Sequence, residues 1–177
     1  MFTNEAARDA AITSPTEGMH AYLTAPTIPA ATTTARLPTG ITTIYNGSVW
    51  VCTTPVGSEV LTQQNVASAS YSDLATTGPS VTLVTGTTAL ISLSAISVAS
   101  STVAYIGFAV SGASTIAATD DAGSFAYVAV SNAQVAIQKT FVFGGLTAGT
   151  NTFKMQYRVN AGNCDFFRRE LVVNGIA

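Results

Sequence analysis

The 177-residue sequence predicts an all-β protein: a jelly-roll β-sandwich over residues 59–177, preceded by a small N-terminal arm and β-hairpin module over residues 1–58. Three observations carry the prediction. In the closing stretch LTAGTNTFKMQYRVNAGNCDFFRRELVV, Phe153, Met155, Tyr157 and Val159 alternate with Thr152, Lys154, Gln156, Arg158 and Asn160, the period-2 pattern of a half-buried strand. From about Val60 onward, short apolar segments recur between turn signals such as Thr-Gly, Ser-Gly, Asp-Asp-Ala-Gly, Ser-Asn and Gly-Gly-Leu-Thr-Ala-Gly. Finally, ITTIYNGSVWV (41–51) reads as a hairpin, with Asn46-Gly47 supplying the positive-φ positions of a type I′ turn and Tyr45 facing Trp50.

Taken in order, Asn4 caps a short helix over Glu5 to Ala11, which Ser14-Pro15 stops. TEGMHAYL turns into a short strand. The segment 24–40, TAPTIPAATTTARLPTG, holds three prolines and few bulky apolar residues, so it is expected to be an extended arm lying on something else. An isolated hairpin is marginal in water, so the 1–51 region must dock on the second module or on a partner. TTPVGSE (53–59) reads as the linker, and deletion of residues 1–51 is expected to leave the roll folded. The strands then predicted are Val66 to Tyr71, Val81 to Val84, Ala89 to Val98, Val103 to Val110, Gly123 to Val130, Val135 to Phe143, Thr152 to Val159 and Cys164 to Val173. Short, evenly spaced strands of this kind fit a two-sheet jelly roll.

Two of these strands are apolar on both faces. Ala104, Ile106, Phe108 and Val110 oppose Val103, Tyr105 and Ala109, while Phe125, Tyr127 and Ala129 oppose Ala126, Val128 and Val130. In a single sandwich only one such face belongs to the domain's own core. The other is most simply covered by a symmetric neighbour, and Tyr105, Phe108 and Tyr127 are the residues expected at that contact.

Charged residues are 9% of the chain, against about a quarter in ordinary soluble domains, and none occurs between Asp73 and Asp120. That surface is either covered by neutral hydroxyls or buried against other chains. With a formal net charge of −2, and Arg168-Arg169 the only adjacent cations, no nucleic-acid partner is implied. The apolar window 90–110 is broken by Ser92, Ser94, Ser97, Ser100, Ser101 and Thr102 and has no basic flank, so it reads as two strands around a Ser-Ser-Thr turn rather than a membrane span. MFTNEAARDAAI lacks the basic and apolar regions of a signal peptide, which predicts synthesis and use without export. Cys52 and Cys164 could pair on count alone, but a chain without a secretion signal more often keeps buried free thiols.

No residue pattern points to catalytic chemistry. His20 is the sole histidine and reads as structural or exposed. Asp120-Asp121 reads as a turn, since calcium needs six to eight oxygens. Asp165 and Glu170 read as ion-pairing residues on the outer face or between subunits rather than a glycosidase pair. Gly144-Gly145 and Gly149 lack the helix of a phosphate-binding loop. Tyr105, Tyr127, Phe166 and Phe167 could stack on sugars but at strand spacing read first as core or interface. No enzyme activity, cofactor or metal is expected.

Two passages carry a family resemblance. RDAAITSPTEGMHAYL with YNGSVW resembles the N-terminal module of virion proteins of tailed phages, especially those of actinobacteria, on Arg8, Asp9, Ala10, Ala11, Ile12, Ser14, Pro15, Glu17, Gly18, Met19, Ala21, Tyr22 and Leu23, then Tyr45, Asn46, Gly47, Ser48 and Trp50. Asn46 stands where aspartate is usual, and the arm at 24–40 is an insertion relative to many such modules. LTAGTNTFKMQYRV with FFRRELVV is similar to the end of the tumour-necrosis-factor-like jelly rolls of phage fibres and head-decoration proteins. The resemblance implies a homotrimeric virion protein, made in the host cytoplasm, that decorates the head by binding the major capsid protein through Arg8, Asp9, Pro15, Tyr22, Tyr45 and Trp50. The alternative is a minor tail or fibre protein bound to other tail proteins or to a host-surface glycan.

Overall fold

The computed structural model describes residues 1–31, 34–99, 101–130 and 132–177. Thr32 and Thr33 of the arm, Ser100 of the Ser-Ser-Thr turn and Ser131 of the Ser-Asn turn lie outside the described residues. The elements are α1 (Glu5–Ala11), β1 (His20–Leu23), β2 (Ala30–Ala31), β3 (Thr34–Arg36), β4 (Ile41–Tyr45), β5 (Trp50–Cys52), β6 (Val56–Val60), β7 (Gln64–Val66), β8 (Ser80–Thr85), β9 (Thr88–Ala99), β10 (Thr102–Gly112), β11 (Ser124–Val128), β12 (Ala133–Gly144), β13 (Gly149–Val159) and β14 (Cys164–Ile176).

Two antiparallel sheets form a jelly-roll sandwich. One runs β11-β10-β13-β8-β2 and the other β12-β9-β14-β6-β3, with β7 also paired to β14. From β8 to β14 the chain passes repeatedly from one sheet to the other, so β9 and β10, predicted as neighbours in sequence, lie in opposite sheets. Among the described residues no helix is long and apolar enough to cross a membrane. The core forms where the inner faces meet. Phe153, Met155, Tyr157 and Val159 are all buried, as their alternation predicts, and Phe108 packs 6.0 Å from Phe153 and 5.0 Å, edge-on, from Phe143.

The N-terminal region is built into this sandwich. Its own sheet, β1-β4-β5, sits at one end, and Leu23, Ile41 and Cys52 belong to the same core cluster as Val81, Leu93 and Val173. Contact there is close: a side chain at Gly175 would come within 2.6 Å of the Cys52 carbonyl oxygen, so β14 accepts only glycine where β5 crosses it. The arm lies on its own chain. Its strand β2 pairs with β8 and β3 with β6, extending both sheets along one rim. Glu5 ties the arm to α1, its carboxylate accepting hydrogen bonds from the Thr27 and Ile28 amides (3.0 Å each) and from the Thr27 hydroxyl (2.9 Å). Burial works against the charge on Glu5, but these donors outweigh it and hold the carboxyl below its ordinary pKa.

Three expectations are corrected. The predicted linker at 53–59 contains β6, which pairs with β14 from Val56 to Val60, so a boundary at residue 58 would cut a strand of the main sheet. Asn46-Gly47 is not a type I′ turn: only Gly47 has positive φ (87°), and Tyr45 pairs with Trp50 across a four-residue loop. Asn46 organises that loop by accepting hydrogen bonds from the amides of Ser48 (3.1 Å) and Val49 (2.9 Å), which an aspartate would also do. The strand expected over Val66 to Tyr71 ends at Val66, and the chain beyond it runs beside β13, with Ser72 bridged to Tyr157.

Candidate functional site

The N-terminal phrase forms one packed unit. Asn4 caps α1 through the Ala7 amide (3.0 Å), and the helix delivers Arg8 onto the hairpin, its guanidinium carbon 4.7 Å from the centre of the Trp50 ring. Tyr45 stacks on the same tryptophan at 5.4 Å, and Asp9 binds Arg8 Nε at 2.8 Å. Arg8 and Trp50, expected as contact residues, are buried and hold helix to hairpin, leaving little of their surface outward. Asp9 and Tyr22 are exposed, whereas Pro15 and Tyr45 are half-buried. Tyr22 lies apart, its hydroxyl packed so tightly on Gly40 that an added methyl would sit 2.3 Å away.

The expected subunit contact is divided by the sheet. Tyr127 is 60% exposed and Tyr105 half-buried, both on the outer face of the β11-β10 pair, where Val103 and Tyr105 register against Tyr127 and Phe125. Phe108 is only 1% exposed because its position in the alternation faces the core, so it is removed from that contact. Phe125, at 64%, takes its place as an exposed apolar residue beside Tyr105, with ring centres 5.4 Å apart. Part of the second apolar face is covered internally, since Tyr71 lies against Gly107 and the Arg158 guanidinium sits 3.6 Å above the Tyr105 ring.

Asp120 is committed to Arg158, which donates from Nε at 2.9 Å and from a terminal nitrogen to the second carboxylate oxygen. That hydrogen-bonded pair lowers the Asp120 pKa and raises that of Arg158. Further along β13, Lys154 pairs with Asp73 at 2.6 Å and Gln156 donates to the same carboxylate at 3.1 Å. Beside the Asp120–Arg158 pair lies an open cleft of about 520 Å³, lined by Gln156 and Arg158 and by Ser70, Tyr71 and Ala117 among others. The Tyr71 hydroxyl is shielded from solvent; burial first, and then the charge of Asp120, push its pKa up. Asp165 accepts from Gln63 and Asn65 at 2.8 Å each, and Glu170 lies 3.5 Å from Arg36. Phe166 leaves the candidate sugar-stacking set: it is buried, with its ring 5.0 Å from Tyr157.

Sequence reasoning missed Arg169, which entered it only as one of two adjacent cations. Arg169 has no exposed surface. Its guanidinium donates to Gln64 Oε1 (2.9 Å) and to the carbonyls of Gly78 (3.2 Å), Thr76 (3.3 Å) and Thr62 (3.5 Å), and stands 5.3 Å from the Tyr157 ring. Cys52 and Cys164 are free and buried.

No family model matches the sequence, and no curated protein does. Among solved structures the chain is similar to the Eiger TNF from S. frugiperda, with a TM-score of 0.48 at 9% identity over 68% of this chain and 92% of that one. It is also similar to infectious bursal disease virus, Gx strain, with a TM-score of 0.34 at 10% identity over 77% of this chain and 43% of the viral chain.

Proposed function

We propose that this chain is a non-enzymatic structural protein of a phage virion, a homotrimeric jelly roll that decorates the head by binding the major capsid protein. The observation that carries the reading is the N-terminal unit. The residues that resemble the phage virion module, Arg8, Tyr45 and Trp50, pack into a preformed knob on the sandwich and leave Asp9 and Tyr22 outward for a partner. Attachment is then through a rigid surface rather than a free arm, because β2 and β3 are occupied in the chain's own sheets. Subunit contact falls on Tyr127 and Phe125, the large exposed apolar residues of β11. The carboxylates that invited catalytic readings are engaged in pairing: Asp120 with Arg158, Asp165 with Gln63 and Asn65.

Mass spectrometry of separated heads and tails tests the location, and finding the chain on tails alone overturns the decoration reading in favour of a tail or fibre protein. Light scattering tests the assembly: a mass three times the chain's 18.1 kDa is expected, reduced to monomer by Tyr127→Lys. Binding of the trimer to undecorated heads is expected to fall in Asp9→Ala/Tyr22→Ala, and unchanged binding would move the attachment surface elsewhere.

A further inference from the structure

We propose that the cleft on the outer face of β13 binds a neutral carbohydrate. Its volume of about 520 Å³ lies within the roughly 300–1,000 Å³ of small-molecule sites. The chemistry of its lining selects the ligand class. Asp120, Arg158 and Gln156 place a carboxylate, a guanidinium and a primary amide around one opening, planar groups that accept from and donate to hydroxyls. Arg158, the cation of this lining, is already neutralised by Asp120, so an anionic ligand would meet a carboxylate without a free cation to offset it. An apolar ligand would strip water from these same polar groups with nothing to replace it.

The polar groups are fixed in advance. Arg158 rests on the Tyr105 ring at 3.6 Å while bound through two nitrogens to Asp120, so little side-chain freedom remains to be lost on binding. Tyr71 backs the cleft because Gly107 has no side chain: a methyl there would lie 2.8 Å from Tyr71 Cε1. Small walls, Ser70 and Ala117 among them, leave the opening wide enough for a sugar within a longer chain. The inference stands whether the chain sits on heads or tails.

The test is a glycan array carrying neutral, sialylated and sulfated oligosaccharides, probed with the full-length protein and followed by calorimetry on the best neutral member. Neutral glycans are expected to bind in preference to charged ones. Ala117→Trp, which fills the cleft from an exposed position, and Gln156→Ala, which removes a hydrogen-bonding group, are each expected to weaken that binding roughly tenfold or more at unchanged melting temperature. Absence of binding to any neutral glycan, preference for anionic ones, or full binding by Ala117→Trp would overturn the proposal.

Discussion

Arg169 is the residue on which the middle of this chain turns. A fully buried guanidinium has to find hydrogen-bond acceptors, and Arg169 finds them in Thr62, Gln64, Thr76 and Gly78, all on the long connection between β6 and β8. Tyr157 joins the same knot, its hydroxyl donating to the Gly78 carbonyl at 3.1 Å. Arg169→Ala removes several charge-assisted bonds and leaves buried carbonyls unpaired, so it is expected to cost about 3 kcal/mol or more in urea unfolding. Arg169→Lys should recover only part of this, because an ammonium lacks the planar fork that reaches acceptors on both sides. The buried thiols give a pH signature. Burial pushes Cys164 up to about 12 and raises Cys52 as well, so both stay protonated in the folded protein. A raised folded-state pKa gives stability that is complete below the unfolded thiol's pKa and is lost as pH climbs toward the folded value. Native protein is therefore expected to be inert to a thiol reagent at pH 8, and its unfolding free energy to decline between about pH 9 and 12, less steeply in Cys164→Ala.

At the scale of elements, the exposure of Arg169's neighbours follows from a β-bulge. Phe167 pairs with Ile96 and Glu170 with Ser94, so Arg168 and Arg169 oppose the single residue Ala95. The extra residue shifts the alternation: Cys164 and Phe166 face the core before it, and Arg169, Leu171 and Val173 after it. Both halves of the strand were legible in the sequence, yet their phases are incompatible without an insertion, and that conflict was the available signal for the bulge. Arg168 takes the strained position, exposed and with φ of 46°. Arg168→Gly is accordingly expected to leave the fold intact and to raise stability by about 0.5–1 kcal/mol in thermal unfolding, whereas glycine elsewhere in β14 would lower it. The hairpin at β4-β5 teaches a related lesson. Its existence and its Tyr45–Trp50 pairing were readable, but the turn type was not, because the Asn46 side chain satisfies the loop amides that a type I′ turn would leave to the backbone.

For the whole molecule, one core replaces the two expected units. Residues 1–51 contribute Leu23 and Ile41 to the buried cluster and provide edge strands β2 and β3 to the two sheets. Thermal unfolding should therefore be a single cooperative transition with equal calorimetric and van't Hoff enthalpies. Deletion of residues 1–51 is expected to abolish soluble folding rather than leave an intact roll, since it uncovers β8 and β6 as free edges and opens the end of the core. A separate low-temperature transition, or a stable truncated roll, would show that the shared core contributes little.

Most strands of the sandwich, and the inward set Phe153, Met155, Tyr157 and Val159, were determined by the sequence itself, because alternation is covalent geometry and needs no partner to be read. Tertiary structure alone decided where the arm lies, which phase of β14 prevails at Arg169, that Phe108 faces inward, and that Arg158, Asp120 and Tyr71 meet around one cleft. Each of these depends on pairing between segments distant in the chain, such as Ser72 with Tyr157 or Ala30 with Thr82. Such register is set by which faces can be buried together, a property no local stretch of sequence contains.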